Sequence, residues 1–436
     1  MGPRLFQSVA NDRQCAEFSI CPVLGAPRWK SGTARVSYFL WIVALAGGVQ
    51  AIYEGDGADG IGPIIKAHGH DDLALLRRDR RGLKHVRMRA SFSSYDLIFK
   101  QPAGTSRGVL RTKQSYFLKI EDASAPFPMG WGEVGILRGL SMDDVPELEA
   151  QLHWTAQNIT LGLEELYVAN AQFPSIQFAL EQAFSHLQHG FQYFQTPYSR
   201  GEESIAINGL IWMGDESFML DQISSRLEEG FTTLKMKVGA IDWATERALL
   251  ERIRKEFSQD QLTLRVDANG AFTLKEALAV DQVLAGLAVH SIEQPLAVDR
   301  REELAELIQR AHTPVALDES LIGLVEQEER EKLLDQIRPP YIILKPSFIG
   351  GWRGADQWIA LAEARGIEWW ATSALESNVG MNAIAQWAST KNNLLPQGLG
   401  TGSLYTNNVP GPHRVAGGQL QLVDDIQKSW DLSALA

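Results

Sequence analysis

Cysteine is almost absent from this sequence. The 436 residues contain two cysteines, Cys15 and Cys21, and both lie near the N-terminus. The chain beyond Cys21 therefore contains neither a disulfide nor a thiolate metal site. This cysteine usage suits a reducing compartment, and we expect a cytoplasmic protein.

Positive charge is also scarce. The chain has 41 Lys and Arg against 53 Asp and Glu, which gives a net charge of −12. No cluster of Lys and Arg falls in the periodic part of the chain, so the sequence does not favour nucleic acid or anionic lipid as a partner. We expect a small-molecule partner, and the composition leaves the oligomeric state open.

One uncharged stretch, residues 36–53, is borderline in length for a membrane span. It lies in an N-terminal extension, residues 1–87, whose hydrophobic periodicity is poor. Two interpretations stay open for this extension: a marginal membrane segment, or sequence that is foreign to the native protein. Residues of ordinary character begin at Met88, where translation could start, so we do not expect a membrane protein.

Two kinds of pattern follow the extension. Residues 88–200 combine alternating strands with helical periodicity, which predicts a compact α+β unit. Residues 201–404 repeat a short apolar strand followed by an amphipathic helix, which favours a closed (β/α)8-type barrel over a doubly wound sheet. No Rossmann glycine fingerprint follows the first of these strands. The eight strands are predicted at residues 205–213, 233–238, 262–266, 289–292, 315–317, 341–344, 367–371 and near Leu399.

Charged residues recur at the ends of the predicted barrel strands. They are Lys235, Lys237, Asp267, Glu293, Asp318 and Lys345. From Lys237 onward they are 25 to 30 residues apart, about one strand–helix unit, so all return to one rim of the barrel. Active sites of this fold are built at that rim. Any one of these charges could merely end a strand or pair with a neighbour, but the regular set predicts a site.

The charge types indicate the chemistry. Three carboxylates close together repel unless they are neutralised, and hard oxygen ligands suit Mg²⁺ with Mn²⁺ as a substitute. We therefore predict one metal site at Asp267, Glu293 and Asp318. Lysines on the flanking strands would stand on either side of a bound carboxylate substrate. Lys237 is the predicted general base, and the like charge of Lys235 would help to lower its pKa.

Short motifs around these residues resemble the muconate-lactonising branch of the enolase superfamily. The motifs are K-x-K at 235–237, DAN at 267–269, EQP at 293–295, DES at 318–320 and KP at 345–346. The resemblance covers roughly residues 93–436. It implies proton abstraction next to a carboxylate by a lysine, with Mg²⁺ stabilising an enediolate. It also implies that residues 88–200 and 405–436 together form a capping domain over the barrel mouth.

Further segments resemble the dehydratases of this branch that form o-succinylbenzoate. These segments are FKQPAGTSRG at 99–108, WGE at 131–133 and SALESNVG at 373–380. The implied reaction is syn dehydration of 2-succinyl-6-hydroxy-2,4-cyclohexadiene-1-carboxylate to o-succinylbenzoate, a step of menaquinone or phylloquinone biosynthesis. Lys237 would act as base and then as acid, and Lys345 would supply positive charge. Expected substrate contacts are Ser106, Arg107, Arg265, Asn269, Ser373, Ser377, Gly400 and Thr401.

Arg265 and the glycine-rich turn at 398–402 each allow a second interpretation. Arg265, two residues before Asp267, could stack on the substrate or form an internal salt bridge. The turn could be taken for a phosphate loop, but it lacks the Gly-Lys-Ser/Thr ending of such a loop. We therefore expect the N–H groups of the turn to bind a carboxylate.

Other functions stay open from the sequence. N-succinylamino acid racemases and other racemases or epimerases of the superfamily use the same lysine pair. A non-catalytic binding or assembly module is the alternative of another class. The complete set of lysines and carboxylates argues against that module, because a silent scaffold gains nothing from carboxylates that repel one another.

Overall fold

The computed structural model describes residues 88–105, 108–239 and 241–435. The N-terminal extension, residues 1–87, lies outside the described residues, as do Ser106 and Arg107 of the predicted substrate loop. Expectations placed on these residues stay predictions. Within the described part of the chain, no helix combines the length and the apolar character that crossing a membrane requires.

An antiparallel sheet opens the described chain. Its strands are β1 (Arg89–Thr105), β2 (Gly108–Glu121) and β3 (Met129–Val134), in that order across the sheet. Side chains alternate along a strand, so Tyr116 and Leu118 of β2 pack in one apolar cluster while Phe117 joins another. The sheet is therefore buried on both faces at β2.

Three helices cover one face of this sheet. They are α1 (Leu148–Gln157), α2 (Leu163–Ala169) and α3 (Pro174–His189). Pro174 starts α3 at a position where its missing N–H costs nothing, and Gly190 directly follows the helix with a positive φ that favours glycine. A Cβ on Gly132 would lie 2.0 Å from the carbonyl oxygen of Ala179, so only glycine lets β3 approach α3 this closely. This close approach fixes β3, which carries the WGE motif, against the helix layer.

The barrel is built from seven parallel strands, each hydrogen-bonded to the next in chain order. The strands are β5 (Gly209–Ile211), β6 (Thr233–Lys237), β7 (Thr263–Asp267), β8 (Ser291–Glu293), β9 (Val315–Leu317), β10 (Tyr341–Leu344) and β11 (Glu368–Ala371). The helices are α4 (Glu216–Glu228), α5 (Trp243–Glu256), α6 (Leu274–Gly286), α7 (Arg301–Arg310), α8 (Gln327–Ile337), α9 (Pro346–Ile349), α10 (Gly351–Glu363) and α11 (Asn378–Ser389). The predicted fold class, an α/β barrel with an α+β unit before it, is confirmed.

Two predicted strands need correction. The strand predicted at 205–213 is split into β4 (Ile205–Ala206) and β5, because β4 pairs with a C-terminal strand and β5 pairs with β6. No strand forms near Leu399. The ring is closed there by two isolated parallel bridges, Gln397 to Ile207 and Gly398 to Thr372. Pro396, which has no N–H to donate, directly precedes these bridges and limits the pairing to two residues.

The C-terminal segment contacts both parts of the fold. Its hairpin, β12 (His413–Ala416) and β13 (Gln419–Leu422), pairs with β4 at the barrel. Upstream of the hairpin, Tyr405 forms a bridge with Phe99 of β1. Near the chain end, the Ser93 hydroxyl donates to the Leu435 carbonyl at 3.2 Å. These contacts agree with a C-terminal segment that returns to the capping unit, although the domain boundaries themselves stay predictions.

Candidate active site

The six charged residues come together at the carboxyl-terminal rim of the barrel. Lys237 is directly opposite Asp267 in the strand register, and Asp267 is opposite Glu293. Asp318 and Lys345 directly follow β9 and β10. The side chains meet at a cavity of about 120 Å³, whose lining includes Lys235, Lys237, Asp267 and Lys345. The rim that the sequence spacing predicted is therefore the rim at which these side chains meet.

Each carboxylate of this rim is paired with a lysine. Lys235 Nζ lies 2.8 and 3.0 Å from the two carboxylate oxygens of Glu293 and 3.1 Å from Asp267 Oδ2. Lys237 Nζ lies 3.0 Å from Asp267 Oδ2 and 2.6 Å from Asn269 Oδ1. Lys345 pairs with Asp318. Three lysines thus face three carboxylates.

The pKa values of two neighbouring carboxyls move in opposite directions. Burial favours the neutral form of Asp267, but Lys235 and Lys237 outweigh it and hold its pKa well below its usual range. Burial, and then the negative charge of Asp267, raise the pKa of Glu293 to about 8 despite Lys235. At Glu293, burial and the neighbouring carboxylates therefore outweigh the attraction of Lys235.

The donor set fits a hard divalent cation in its chemistry. Asp267, Glu293 and Asp318 offer carboxylate oxygens from three adjacent strands, and Lys235 already contacts two of them. In this structure the three carboxylates are oriented toward lysine side chains and not toward a common point. Among the described residues, no three His, Cys, Asp or Glu side chains are arranged around a common metal position.

The pocket has one polar wall. Ser373 and Thr401 line it, and their hydroxyl oxygens are 2.8 Å apart. Gly400 and Asn269 also line the pocket. The Asn269 side-chain amide donates to Glu319 at 3.0 Å. These four residues were expected to contact substrate, and all four line the pocket.

Apolar side chains also line the pocket, and sequence reasoning missed them. Trp212 follows β5 and Phe348 lies in α9, just after Lys345. Leu137 and Leu140, from the loop after β3, bring the capping unit into the pocket. Position just after a barrel strand was a usable signal for Trp212 and Phe348. Nothing local in the sequence marks the two leucines.

The pocket lining includes neither Arg265 nor Ser377, and the substrate contacts predicted for these two residues stay predictions. Arg265 faces the barrel interior one layer below Asp267, where it is 1% exposed. Its guanidinium stacks 4.1 Å from the ring centre of Trp370 and donates to the Pro396 carbonyl at 2.8 Å. Ser377 is fully buried at the start of α11, where its hydroxyl accepts from the Val379 N–H at 3.1 Å. Both side chains therefore lie outside the pocket and contact neighbouring protein groups.

Three residues near the rim have a strained backbone. Asn269, Gln294 and Leu375 have positive φ angles of 45°, 38° and 62°, which are uncommon for residues other than glycine. The Gln294 side chain donates to the Ser320 hydroxyl at 2.9 Å and accepts from the Asp318 N–H at 3.2 Å. It therefore ties the end of β8 to the end of β9 and fixes the spacing between Glu293 and Asp318.

The fold and this charged rim define the class. Residues 219–426 match the family model described as "Enolase C-terminal domain-like". In fold, the chain is similar to the dipeptide epimerase of Enterococcus faecalis V583, with a TM-score of 0.69 at 20% identity, over 79% of this chain and all of that one. The protein has the architecture of an enolase-superfamily enzyme.

Relatives with higher sequence identity indicate a particular family within this superfamily. The o-succinylbenzoate synthase of Desulfotalea psychrophila is 43% identical over 76% of this chain and 98% of its own length. The crystal structure of MenC from that organism has a TM-score of 0.68 and covers 77% of this chain and 99% of the other. The L-Ala-D/L-Glu epimerase of Bacillus subtilis is 26% identical over 72% of this chain and 87% of its own length. The chain belongs to the o-succinylbenzoate synthase family of the enolase superfamily.

Proposed function

We propose that the protein dehydrates 2-succinyl-6-hydroxy-2,4-cyclohexadiene-1-carboxylate to o-succinylbenzoate. The observation that carries this proposal is a pair of lysines on opposite sides of a row of carboxylates. Lys237 ends β6 and Lys345 follows β10, and β7, β8 and β9 lie between them. In a ring of eight positions these two strands stand across from each other. A substrate carboxylate held between them presents its α-carbon to either amine.

Lys237 is the proposed base and acid. Its neutral amine removes the proton next to the substrate carboxylate, which breaks the C–H bond and leaves the electron pair on the substrate. The resulting ammonium then gives its proton to the departing hydroxyl group on the same face, so that water leaves and the ring becomes aromatic. Asn269 Oδ1, 2.6 Å from Lys237 Nζ, orients the amine.

Lys345 is the proposed electrostatic partner. Burial lowers the pKa of its ammonium, but Asp318 and Glu319 outweigh burial and the pKa is raised. Lys345 therefore stays protonated, and a fixed positive charge stabilises the negative charge that develops when the proton leaves. Lys235 is protonated for the same reason, because Asp267 and Glu293 raise its pKa against the effect of burial.

We further propose that Asp267, Glu293 and Asp318 hold Mg²⁺, for which Mn²⁺ substitutes. When bound, such an ion supplies positive charge to the substrate carboxylate as the α-proton is removed. All three carboxylates are buried, and Asp267 and Glu293 lie opposite each other on neighbouring strands; this crowding of carboxylates supports the assignment. Ser373, Gly400 and Thr401 then bind the second carboxylate, and Trp212 and Phe348 pack against the ring.

The decisive experiment compares two reactions in one enzyme. Wild-type protein is assayed in D₂O with the cyclohexadiene substrate and, separately, with both enantiomers of an N-succinylamino acid. We expect dehydration to have the higher kcat/KM. A higher kcat/KM for racemisation would make an epimerase or racemase the primary function, and the proton-abstraction chemistry would survive.

Variants test the two lysine roles. Lys237→Ala should lose about 10²- to 10⁴-fold in kcat, the contribution of a positioned general base. Lys345→Arg keeps the charge but changes its shape, so dehydration should slow while the proton removed stays the same. Lys332→Ala, on the exposed face of α8, is the matched control and should behave as wild type. Dehydration by Lys237→Ala at the wild-type rate would refute the assignment of the base.

A further inference from the structure

A buried carboxylate of the capping unit sits on the N-terminus of a barrel helix. Glu133, at the end of β3, is 0% exposed. Its oxygens accept from the Ser377 N–H at 3.0 Å, the Ser377 hydroxyl at 2.5 Å and the Gly380 N–H at 3.0 Å. The first N–H groups of a helix have no partner within the helix, and its N-terminus favours negative charge. Glu133 therefore fixes the start of α11 to the capping sheet.

The first turn of α11 has a glycine, Gly380, where it contacts this carboxylate. A Cβ on Gly380 would lie 3.0 Å from Glu133 Oε2, closer than ordinary packing allows. On the other side, the Ser115 hydroxyl of β2 donates to Glu133 at 2.8 Å and accepts from Lys113 Nζ at 2.8 Å. Lys113 is itself 3% exposed and lies 3.7 Å from Glu133. The contact is therefore a closed, charged network inside the interface between capping unit and barrel.

The network ends at the loop that precedes α11, and this loop forms one wall of the active-site pocket. Ser373, Ala374 and Leu375 line the pocket, and Ser377 is the next residue but one. Leu375 is held at a φ of 62°, a left-handed conformation that residues with a side chain rarely adopt. Such a conformation persists only where neighbours hold it. The Tyr405 hydroxyl donates to the Leu375 carbonyl at 2.7 Å, which fixes one end of the loop.

Glu376 links the same loop to the strand that carries Lys345. One oxygen of its buried carboxylate accepts from the Ala374 N–H at 2.6 Å, and the other accepts from the Ser347 hydroxyl at 2.6 Å. Ser347 is two residues past Lys345. The loop is therefore fixed from the barrel through Glu376 and from the capping unit through Glu133.

We propose that Glu133 is a positioning residue of the active site. Through Glu133, the position of the capping unit determines the position of residues 373–375, which form the substrate-binding wall. The pocket therefore has its proper shape only when the two units are docked. Glu133 lies outside the pocket lining and acts through Ser377. The inference rests on the proposed function only in the choice of substrate for its assay.

The chain offers a matched control at Glu181. This glutamate of α3 is 3% exposed, and its carboxylate accepts from the Trp352 and Arg353 N–H groups at 2.6 and 3.2 Å. It caps the start of α10 from the capping unit, as Glu133 caps α11. Neither Trp352 nor Arg353 lines the active-site pocket. Loss of Glu181 therefore weakens docking between the units without touching the substrate-binding wall.

The test compares Glu133→Gln with Glu181→Gln in the full chain. Loss of the charged acceptor at Glu133 should raise KM about tenfold and change kcat much less, because the lysines stay in place. Glu181→Gln should lower the melting temperature comparably and leave KM at the wild-type value. Calorimetric binding of o-succinylbenzoate provides a readout that does not depend on turnover, and its Kd should rise in parallel with KM.

Two further results decide the matter. Glu133→Asp keeps the charge with a shorter reach, so its KM should lie between those of wild type and Glu133→Gln, and this variant carries the test if the amide fails to fold. Unchanged KM and Kd in all Glu133 variants, whatever their melting temperatures, would overturn the positioning role. If wild type does not dehydrate the cyclohexadiene, the proposed function fails by itself, and the KM comparison is made with the N-succinylamino acid that wild type racemises.

Discussion

Acid should destabilise the capping unit through one buried histidine, His186. This residue lies in the last turn of α3 and is 7% exposed. Its Nδ1 accepts a hydrogen bond from the Trp131 N–H at 3.3 Å, and its ring centre lies 4.2 Å from that of Phe191. Burial lowers the pKa of His186 from 6.5 to about 4. Protonation would also remove the acceptor that Trp131 uses.

The size of the effect follows from this shift. The unfolded chain binds the proton more tightly than the folded chain, so the stabilisation is complete above pH 6.5. It falls as the pH drops from 6.5 to about 4. Each pH unit in that window removes about 1.4 kcal/mol. Between pH 7.5 and pH 5, His186 alone should therefore lower the free energy of unfolding by roughly 2 kcal/mol.

The assay isolates this residue by a double difference. Urea unfolding of wild type and His186→Gln is measured at pH 7.5 and pH 5, and the change in their stability difference is the quantity of interest. Glutamine is uncharged at both pH values and retains an acceptor for Trp131, so the stability difference should shift by about 2 kcal/mol in favour of the variant at pH 5. His189→Gln, on the exposed face of α3, is the control. A stability difference that is the same at both pH values would refute the reasoning.

Two other predictions address the metal and the N-terminal extension. Exhaustive treatment with EDTA should abolish turnover, and Mg²⁺ or Mn²⁺ should restore it, because Asp267, Glu293 and Asp318 are the proposed ligands. Full activity after chelation, or in Asp318→Asn without added metal, would exclude that site. A chain starting at Met88 should fold and turn over as the full chain does, because the fold and the site described above lie within residues 88–435. Insoluble or inactive protein from that shorter chain would show that residues 1–87 are required.

The charged rim was predictable because the barrel repeats itself. A spacing of 25 to 30 residues between successive charges from Lys237 to Lys345 corresponds to one strand and one helix, and such a repeat returns each strand end to the same rim. The family resemblance and the fold class, which were inferred from these residues, were both confirmed. The roles of the individual residues and the predicted metal site stay predictions.

Sequence spacing gives the face of a strand but not the depth within the barrel. Arg265 lies on the same face as Asp267, but one layer farther down the barrel and outside the pocket lining, so its substrate contact stays a prediction. There Trp370, from β11, stacks under the guanidinium. That partner lies more than a hundred residues away in the chain, so no local pattern could reveal it.

Contacts between the capping unit and the barrel were the least predictable part. Leu137, Leu140 and Glu133 precede the barrel in the chain, and their importance arises only when the two units dock. Their partners are the active-site pocket for the leucines and the first turn of α11 for the glutamate. The WGE motif was quoted for its resemblance alone, and its glutamate proved to be a buried link to the active-site loop.

The division of labour within the pocket explains why relatives with different reactions share this fold. In the proposed mechanism, Lys237, Lys345 and the carboxylates between them serve proton removal next to any suitably placed carboxylate, so this set alone does not distinguish a dehydratase from an epimerase. Discrimination must come from groups that hold the rest of the substrate. Candidates for such groups line the pocket from the loops at 137–140 and 373–375 and from α9. Changes in specificity within this family should therefore map to the walls and to their supports, such as Glu133, before they reach the charged rim.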